Sequence, residues 1–518
     1  MSKSPVSFVR ARVLKRETMA EDFRRKTPLM GWASWNCFRT NINEEKLKRQ
    51  FDAMISTGLA ECGYVYANTD DGFFGGRGAD GKIRFHKERF PNGIKPLADY
   101  AHSLGLKAGI YSEAGSTSCG YYYDNEGENG LGVGLVGHER EDLETYLVDC
   151  DFDFIKVDWC GALREGVDEK AVYVKVGEIV DEIRHRQKKT LVYNVCRKFF
   201  PGEWAVPIAD SWRTAADIQP NFASILRQID NIKPLRKYCS PGHVNDLDMM
   251  QIGNGLTYEE EKTHFAMWCM MSTPLMVGCD LTKIPAATLE ILKNRELIAL
   301  DQDAACLQAY VVKEYKGADG ALLGEAWVKD LGEARGKEKA VAFLNRRDAP
   351  LEMALDYKTA GLCGKILSLR DLWKHEDLSV KENLCFVVPP HETVVLRVKS
   401  EKAGDAADVN AALSYREPAP IQAISEEKAK ELLKKGALLL DARTREEYQK
   451  GHLEGALCTP FTEIYSHIAE TVPHKDTVCV VYCSKGLRST QVKYTMDHMG
   501  YTEVYLLGGM EKELAKLS

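Results

Sequence analysis

The sequence predicts an α/β chain in three parts: a closed barrel or large doubly wound sheet, a β-rich unit, and a compact αβ module. Three observations predict it. Apolar strand-like runs alternate with amphipathic helical patterns from about Thr27 to Ala304. Acidic residues stand at the carboxyl ends of several of those runs. From Leu307 to Lys399 the alternation gives way to short β-rich runs separated by turn residues.

The expected elements follow in order. Residues 1–26 form a basic N-terminal arm without an apolar core, so no secretory signal is expected. Leu29–Trp35, Tyr64–Asp70, Lys107–Glu113, Phe154–Asp158, Leu191–Val195, Asp210–Arg213, His243–Asp246 and Leu275–Val277 read as strands, a count compatible with eight. Glu44–Thr57, Ile94–Leu104, Glu139–Asp149 and Asp168–Gln187 read as helices between them. Residues 27–304 are thus one α/β unit, 305–399 a small antiparallel sandwich, 400–420 a linker rich in Ala, Asp, Glu, Lys and Pro, and 421–518 the αβ module.

The 518 residues, 44% hydrophobic and 28% charged, have the balance of a soluble globular protein. A net charge of −7 argues against a nucleic-acid partner. No apolar run is long enough to span a bilayer, so no membrane partner is expected. Fifteen cysteines without an export signal predict mostly free thiols in a reducing, cytoplasmic setting. Assembly into a homo-oligomer is compatible with the sequence.

The run Phe154-Ile155-Lys156-Val157-Asp158-Trp159-Cys160 organises the first unit. It is a short buried strand ending in an acid, a group costly to bury alone. At the carboxyl end of a barrel strand such an acid reads as catalytic. The alternative is an N-cap for the next helix. Asp70, Asp71, Asp217, Asp246 and Asp248 also end strand-like runs, with Trp35 and Tyr111 on others. Carboxylates accept bonds from vicinal hydroxyls and aromatic faces pack on sugar C–H groups, so the ring suits a small carbohydrate. A metal cage is the rival, but no dense ligand spacing supports it, and no metal or other cofactor is expected.

Met30-Gly31-Trp32-Ala33-Ser34-Trp35-Asn36, Asp70-Asp71-Gly72, Gly109-Ile110-Tyr111, Lys156-Val157-Asp158-Trp159-Cys160, Trp212 to Ile218 and Asn245-Asp246-Leu247-Asp248-Met249 occur in that order. Together they resemble glycoside hydrolase family 27, the α-galactosidase and α-N-acetylgalactosaminidase family, from about Thr27 to Lys399. The resemblance implies a (β/α)₈ TIM barrel with an antiparallel β-sandwich. It also implies a retaining exo-glycosidase for terminal α-D-galactosides or a related galacto-configured sugar, with Asp158 as nucleophile and Asp217 as general acid/base. Retaining carboxyls lie roughly 5–5.5 Å apart. Lys156, on the same strand face, should keep Asp158 ionised, and the Asp158 charge should keep Asp217 protonated. The resemblance also places Trp35, Asp70, Asp71, Tyr111, Lys156 and Arg213 around the sugar. It matches Cys119 and Cys160 to a pair disulfide-bonded in secreted members; a reducing compartment puts that bond in doubt and leaves the pairing open. Within the family the alternatives are α-N-acetylgalactosaminidase and β-L-arabinopyranosidase; outside it, an inactive sugar-binding barrel.

Departures from the pattern bear on the sugar. Arg197-Lys198 follows Cys196 where α-galactosidases typically have Glu-Trp. A cation at Arg197 would favour an anionic or altered sugar, unless it pairs with an acid. Val244 replaces a tryptophan, and the loop Tyr121–Leu135 is long.

In the last module Thr477–Tyr482 runs as a strand into Cys483-Ser484-Lys485-Gly486-Leu487-Arg488-Ser489, ahead of a helix near Thr490–Met499. A helix N-terminus, Lys485 and Arg488 all favour a thiolate at Cys483. With Leu440-Asp441-Ala442-Arg443, Gly451-His452-Leu453-Glu454-Gly455-Ala456 and Leu506-Leu507-Gly508-Gly509-Met510, the module resembles a single-domain rhodanese. That implies a thiosulfate sulfurtransferase in which Cys483 carries a persulfide between a sulfane-sulfur donor and an acceptor. The alternative is a module whose cysteine only senses redox state or docks a partner.

Overall fold

A computed structural model of the chain describes residues 23–124, 126–332, 336–415 and 422–510, apart from the side chains of Tyr465, Ser466 and His498. Residues 1–22 of the expected arm and 416–420 of the expected linker lie outside the described residues. Eight parallel strands form the first sheet: β1 (Met30–Ala33), β2 (Tyr66–Asn68), β3 (Lys107–Glu113), β4 (Phe154–Asp158), β5 (Val192–Val195), β6 (Ser211–Arg213), β7 (Val244–Asp246) and β8 (Leu275–Val277). They run in the order β8-β1-β2-β3-β4-β5-β6-β7. The sheet curls into a barrel that closes just after β7, where Met250 bridges to Val277 and its N–H donates to Met276 O at 2.6 Å.

Alternation along β4 shows how these residues make a barrel. Ile155 and Val157 are fully buried against the helical layer outside the sheet. Phe154 points the other way and joins Leu29, Tyr66, Val192, Met249 and Met276 in an apolar plug inside the barrel. Because side chains alternate, Lys156 and Asp158 share the face of Phe154 and emerge above that plug. In β6, Trp212 faces outward and bonds Asn245 at 2.8 Å, which sends Arg213 inward. The helix Glu169–Gln187 begins at an Asp168 cap that accepts from Ala171 N at 3.0 Å.

The second unit is antiparallel. A six-stranded sheet contains β9 (Tyr310–Lys316), β10 (Leu322–Asp330), β11 (Glu338–Asn345), β13 (Leu362–Asp371) and β15 (Thr393–Ala403), with the short Glu376–Asp377 strand at its edge. It packs across an apolar core on a pair made of β12 (Leu351–Leu355) and β14 (Leu384–Val388). The sequence reading lacked β12, whose Glu352 interrupts an otherwise apolar run. The third unit is a parallel sheet in the order β17 (Ala456–Cys458), β16 (Leu438–Asp441), β18 (Cys479–Cys483), β19 (Val504–Gly509).

Several boundaries move. Trp35 opens the short helix Trp35–Phe38 rather than ending a strand. β15 extends to Ala403, into the expected linker, and Tyr415 packs edge-on against Phe200 of the barrel at 5.3 Å. The final module is therefore seated on the barrel. Lys485 donates to Tyr121 O at 2.9 Å, Tyr123 packs on Phe461, and Phe199 packs on Tyr494.

Candidate functional site

A cavity of about 610 Å³ opens at the carboxyl end of the barrel strands. Of the residues expected from sequence, Trp35, Cys119, Lys156, Asp158, Cys160, Arg197, Arg213 and Asp217 all line it. Asp70 and Tyr111 lie in a small annex that shares Lys156 and Arg213 with the main cavity. Asp71 lines neither. Its two oxygens accept from Gly120 N at 2.6 Å and Gly72 N at 2.7 Å, so it anchors α1 (Cys119–Tyr123) instead of facing a sugar. Burial pushes its carboxyl up to about 7.

Charges in the cavity alternate. Lys156 Nζ lies 2.9 Å from Asp70 Oδ2 and 3.8 Å from Asp158 Oδ2. Arg213 Nη2 lies 2.7 Å from Asp248 Oδ2 and 3.2 Å from Asp217 Oδ1. Asp248 was visible in sequence as a strand-end acid but was given no role. Its φ of +83°, unusual for a residue with a side chain, turns the carboxylate under Arg213. Burial raises the Asp248 carboxyl to about 6 against the pull of Arg213.

The proton assignment departs from expectation. Burial raises Asp158, and Lys156 offsets that only in part, so its carboxyl sits above the ordinary range. Burial also acts on Asp217, but Arg213, Lys198 and Lys156 outweigh it and hold the carboxyl low. Asp217 keeps 41% of its side chain exposed to the cavity against 15% for Asp158, in line with that order. The expectation counted the Asp158 charge and omitted the two cations beside Asp217.

Lys198 is the residue sequence reasoning named without using. Its ammonium donates to Tyr123 Oη at 3.0 Å and feels Asp217. Arg197 lines the cavity wall, but its guanidinium pairs with Glu169 at 2.8 Å, so its charge is neutralised within the protein. The anionic-sugar reading of Arg197 loses its basis.

Cys119 and Cys160 are joined in a disulfide, the pairing the family resemblance implies and the expected reducing compartment put in doubt. The bond ties α1 to the end of β4, and Cys119 Sγ lies 3.2 Å from Asp158 Oδ2. Thirteen other cysteines are free. Glu113 lies close to both disulfide sulfurs. Its carboxylate accepts from Gly115, Cys160 and Ala162 N–H groups, and burial with the nearby Asp158 pushes it up to about 8. With both sulfurs bonded to each other, that cluster offers a cation one already engaged carboxylate, a poor donor set.

In the third unit Cys483 is the last residue of β18, and α2 (Leu487–His498) starts earlier than expected, taking Leu487 and Arg488 from the loop into the helix. Cys483 Sγ accepts from Gly486 N at 3.0 Å and Ser489 N at 3.4 Å. Arg488 is bound to Glu447 and approaches Ser484 Oγ at 3.4 Å while still interacting electrostatically with Cys483, and Lys485 reaches out to the barrel. Gly486 has φ +89°, and a Cβ there would fall 2.6 Å from Arg164 Nη2 of the barrel.

Residues 27–303 match the family model described as Alpha galactosidase A, 324–398 its C-terminal beta sandwich domain, and 425–515 a Rhodanese-like domain. Alpha-galactosidase A of Cellvibrio japonicus is 36% identical over 76% of this chain and 97% of its own length. Alpha-galactosidase 2 of Arabidopsis thaliana is 36% identical over 73% and 90%. The crystal structure of alpha-galactosidase I from Mortierella vinacea superposes with a TM-score of 0.66 at 27% identity, covering 73% of this chain and 98% of that one.

The raised Asp158 carboxyl has a kinetic consequence. Asp158, the nucleophile expected from sequence, must be ionised to act, so kcat/KM should fall on acidification through a pKa above the ordinary aspartate value of about 3.9. Lys156→Met removes the charge that favours ionisation and should move that acid limb to higher pH. An unmoved limb in the residual activity would contradict the ion pair's role.

Proposed function

The chain belongs to the α-galactosidase family, glycoside hydrolase family 27, and from that premise we propose that it hydrolyses terminal α-D-galactosides, with Asp158 as nucleophile and Asp217 as acid and base. The observation that carries this reading is that both carboxylates line one cavity, each held beside a buried cation. Asp158 attacks the anomeric carbon as the bond to the leaving oxygen breaks, and Asp217 gives that oxygen its proton. By themselves Arg213, Lys198 and Lys156 favour an ionised Asp217. A bound sugar displaces the water around that exposed carboxylate, and lost hydration raises its pKa. The pair then titrates as a unit, with the proton on Asp217. Once the Asp158 ester forms, its charge is gone; Asp217 takes a proton from water, which attacks the same carbon and frees Asp158. Lys156 and Asp70, paired below, are placed to bond hydroxyls, and Trp35 to pack on the ring.

The rhodanese-like domain is read as a thiosulfate sulfurtransferase. The Cys483 thiolate attacks the outer sulfur of thiosulfate, the S–S bond breaks, sulfite leaves, and the persulfide gives its sulfur to a nucleophile such as cyanide. The N–H groups of Gly486 and Ser489 support the anion. Cys483 is buried beneath a loop pressed on Tyr121, so transfer requires that loop to part from the barrel.

Asp158→Asn should abolish turnover of aryl α-galactosides. Asp217→Asn should slow substrates with poor leaving groups far more than activated ones; equal losses would refute the acid role. Cys483→Ser should end thiosulfate:cyanide transfer while galactosidase activity continues. Sulfur transfer that survives the substitution would show another thiol at work.

A further inference from the structure

The sugar cavity is not built by the barrel alone. Phe461, Thr462 and Gln491 of the rhodanese-like domain line it together with Asp158 and Asp217. Phe461 follows β17 on a loop tied to β16, its N–H donating to Ala442 O at 3.1 Å. Its ring packs on Tyr123 at 5.9 Å between centroids. The Arg39 guanidinium lies 5.5 Å from the Phe461 ring and 4.6 Å from that of Trp35, bridging the two domains across the cavity mouth. Asp124 holds Arg39 there at 2.7 Å.

Among the described residues, two buried polar atoms on this wall have no hydrogen-bond partner. Gln491 is 4% exposed, and its Oε1 has no hydrogen bond. Arg39 bonds Asp124 through Nε and leaves Nη2 buried without one. A buried donor and a buried acceptor left unmatched are each destabilising unless a ligand completes them. A hydroxyl both donates and accepts, so a polyhydroxylated group satisfies both kinds of atom, which an alkyl or lipid chain cannot. The proposed galactose binds at the Asp158 end, beside Lys156 and Trp35. The space beyond Asp217 belongs to the leaving group, and the cavity is in the size range of small-ligand sites.

We propose that the rhodanese-like domain forms the leaving-group wall of the glycosidase site, where Phe461, Thr462 and Gln491 receive a hydroxylated aglycone of about one sugar ring. The fused domain thereby sets which galactosides are cleaved, apart from any sulfur chemistry of its own. The inference rests on the galactoside reading above.

The test compares two substrates on the full chain: α-galactosyl fluoride, whose leaving group is a single atom, and α-1,6-linked galactosyl-glucose, whose leaving group is a hexose. Phe461→Ala and Gln491→Leu should each lower the ratio of kcat/KM for the disaccharide to that for the fluoride by about tenfold, the scale of a lost polar or packing contact at a specificity site. Retained thiosulfate:cyanide transfer in both variants confirms that the domain still folds. An unchanged ratio in both would overturn the proposal. A wild-type chain inert toward galactosyl fluoride would overturn the galactoside reading itself, and this inference with it.

Discussion

Four carboxylates meet at the mouth of this barrel because two buried cations are interleaved among them. Lys156 stands between Asp70 and Asp158, and Arg213 between Asp217 and Asp248. Isolated buried carboxylates would neutralise themselves, and unpaired buried cations would be equally costly. The interleaving lets one cavity hold a buried acid and a more exposed acid with different proton affinities. The order leaves the higher affinity on Asp158 and the lower on Asp217, so the proton must pass to Asp217 before double displacement at a sugar carbon can begin. Strand alternation supplies the placement: Lys156 and Asp158 lie two residues apart on the face that Phe154 begins, and Arg213 faces inward because Trp212 faces out.

The barrel was legible in sequence because its signals are local. Period-two alternation and an acid at a strand end are both written within five to seven residues. The ordered motifs drew Asp158, Asp217, Lys156, Arg213 and Trp35 to one cavity. What sequence could not give is how side chains divide their partners. Asp71 turns to the backbone of α1, and Arg197 turns to Glu169. Its neighbour Lys198 faces the acid instead. Charge counting along the chain also misjudged Asp217: Arg213, four residues before it, was placed near the sugar without an effect on that carboxyl, and Lys198 and Lys156 reach it from other segments. The Cys119–Cys160 bond opposed an inference from compartment rather than from geometry. β12 was missed because its alternation is weak and its partner, β14, lies some thirty residues away.

The placement of the last domain was legible nowhere, since nothing in a rhodanese motif says which surface it rests on. In the structure the short helix α1 is shared between the two domains. Its Cys119 sits beside Asp158, its Tyr121 carbonyl receives Lys485, and its Tyr123 packs on Phe461 and accepts from Lys198. One turn of helix thus touches Asp158, the thiol loop and the cavity wall. A disulfide and a buried aspartate hold that turn in place. The two domains are joined mechanically through it.

The central claim is that Asp158 forms a covalent bond to the sugar. Incubation with 5-fluoro-α-galactosyl fluoride, which slows release of a glycosyl-enzyme, followed by peptide mass mapping, tests it most directly. One added glycosyl unit is expected, on the peptide that carries Asp158. Turnover without any adduct, or an adduct on another carboxylate, would contradict it.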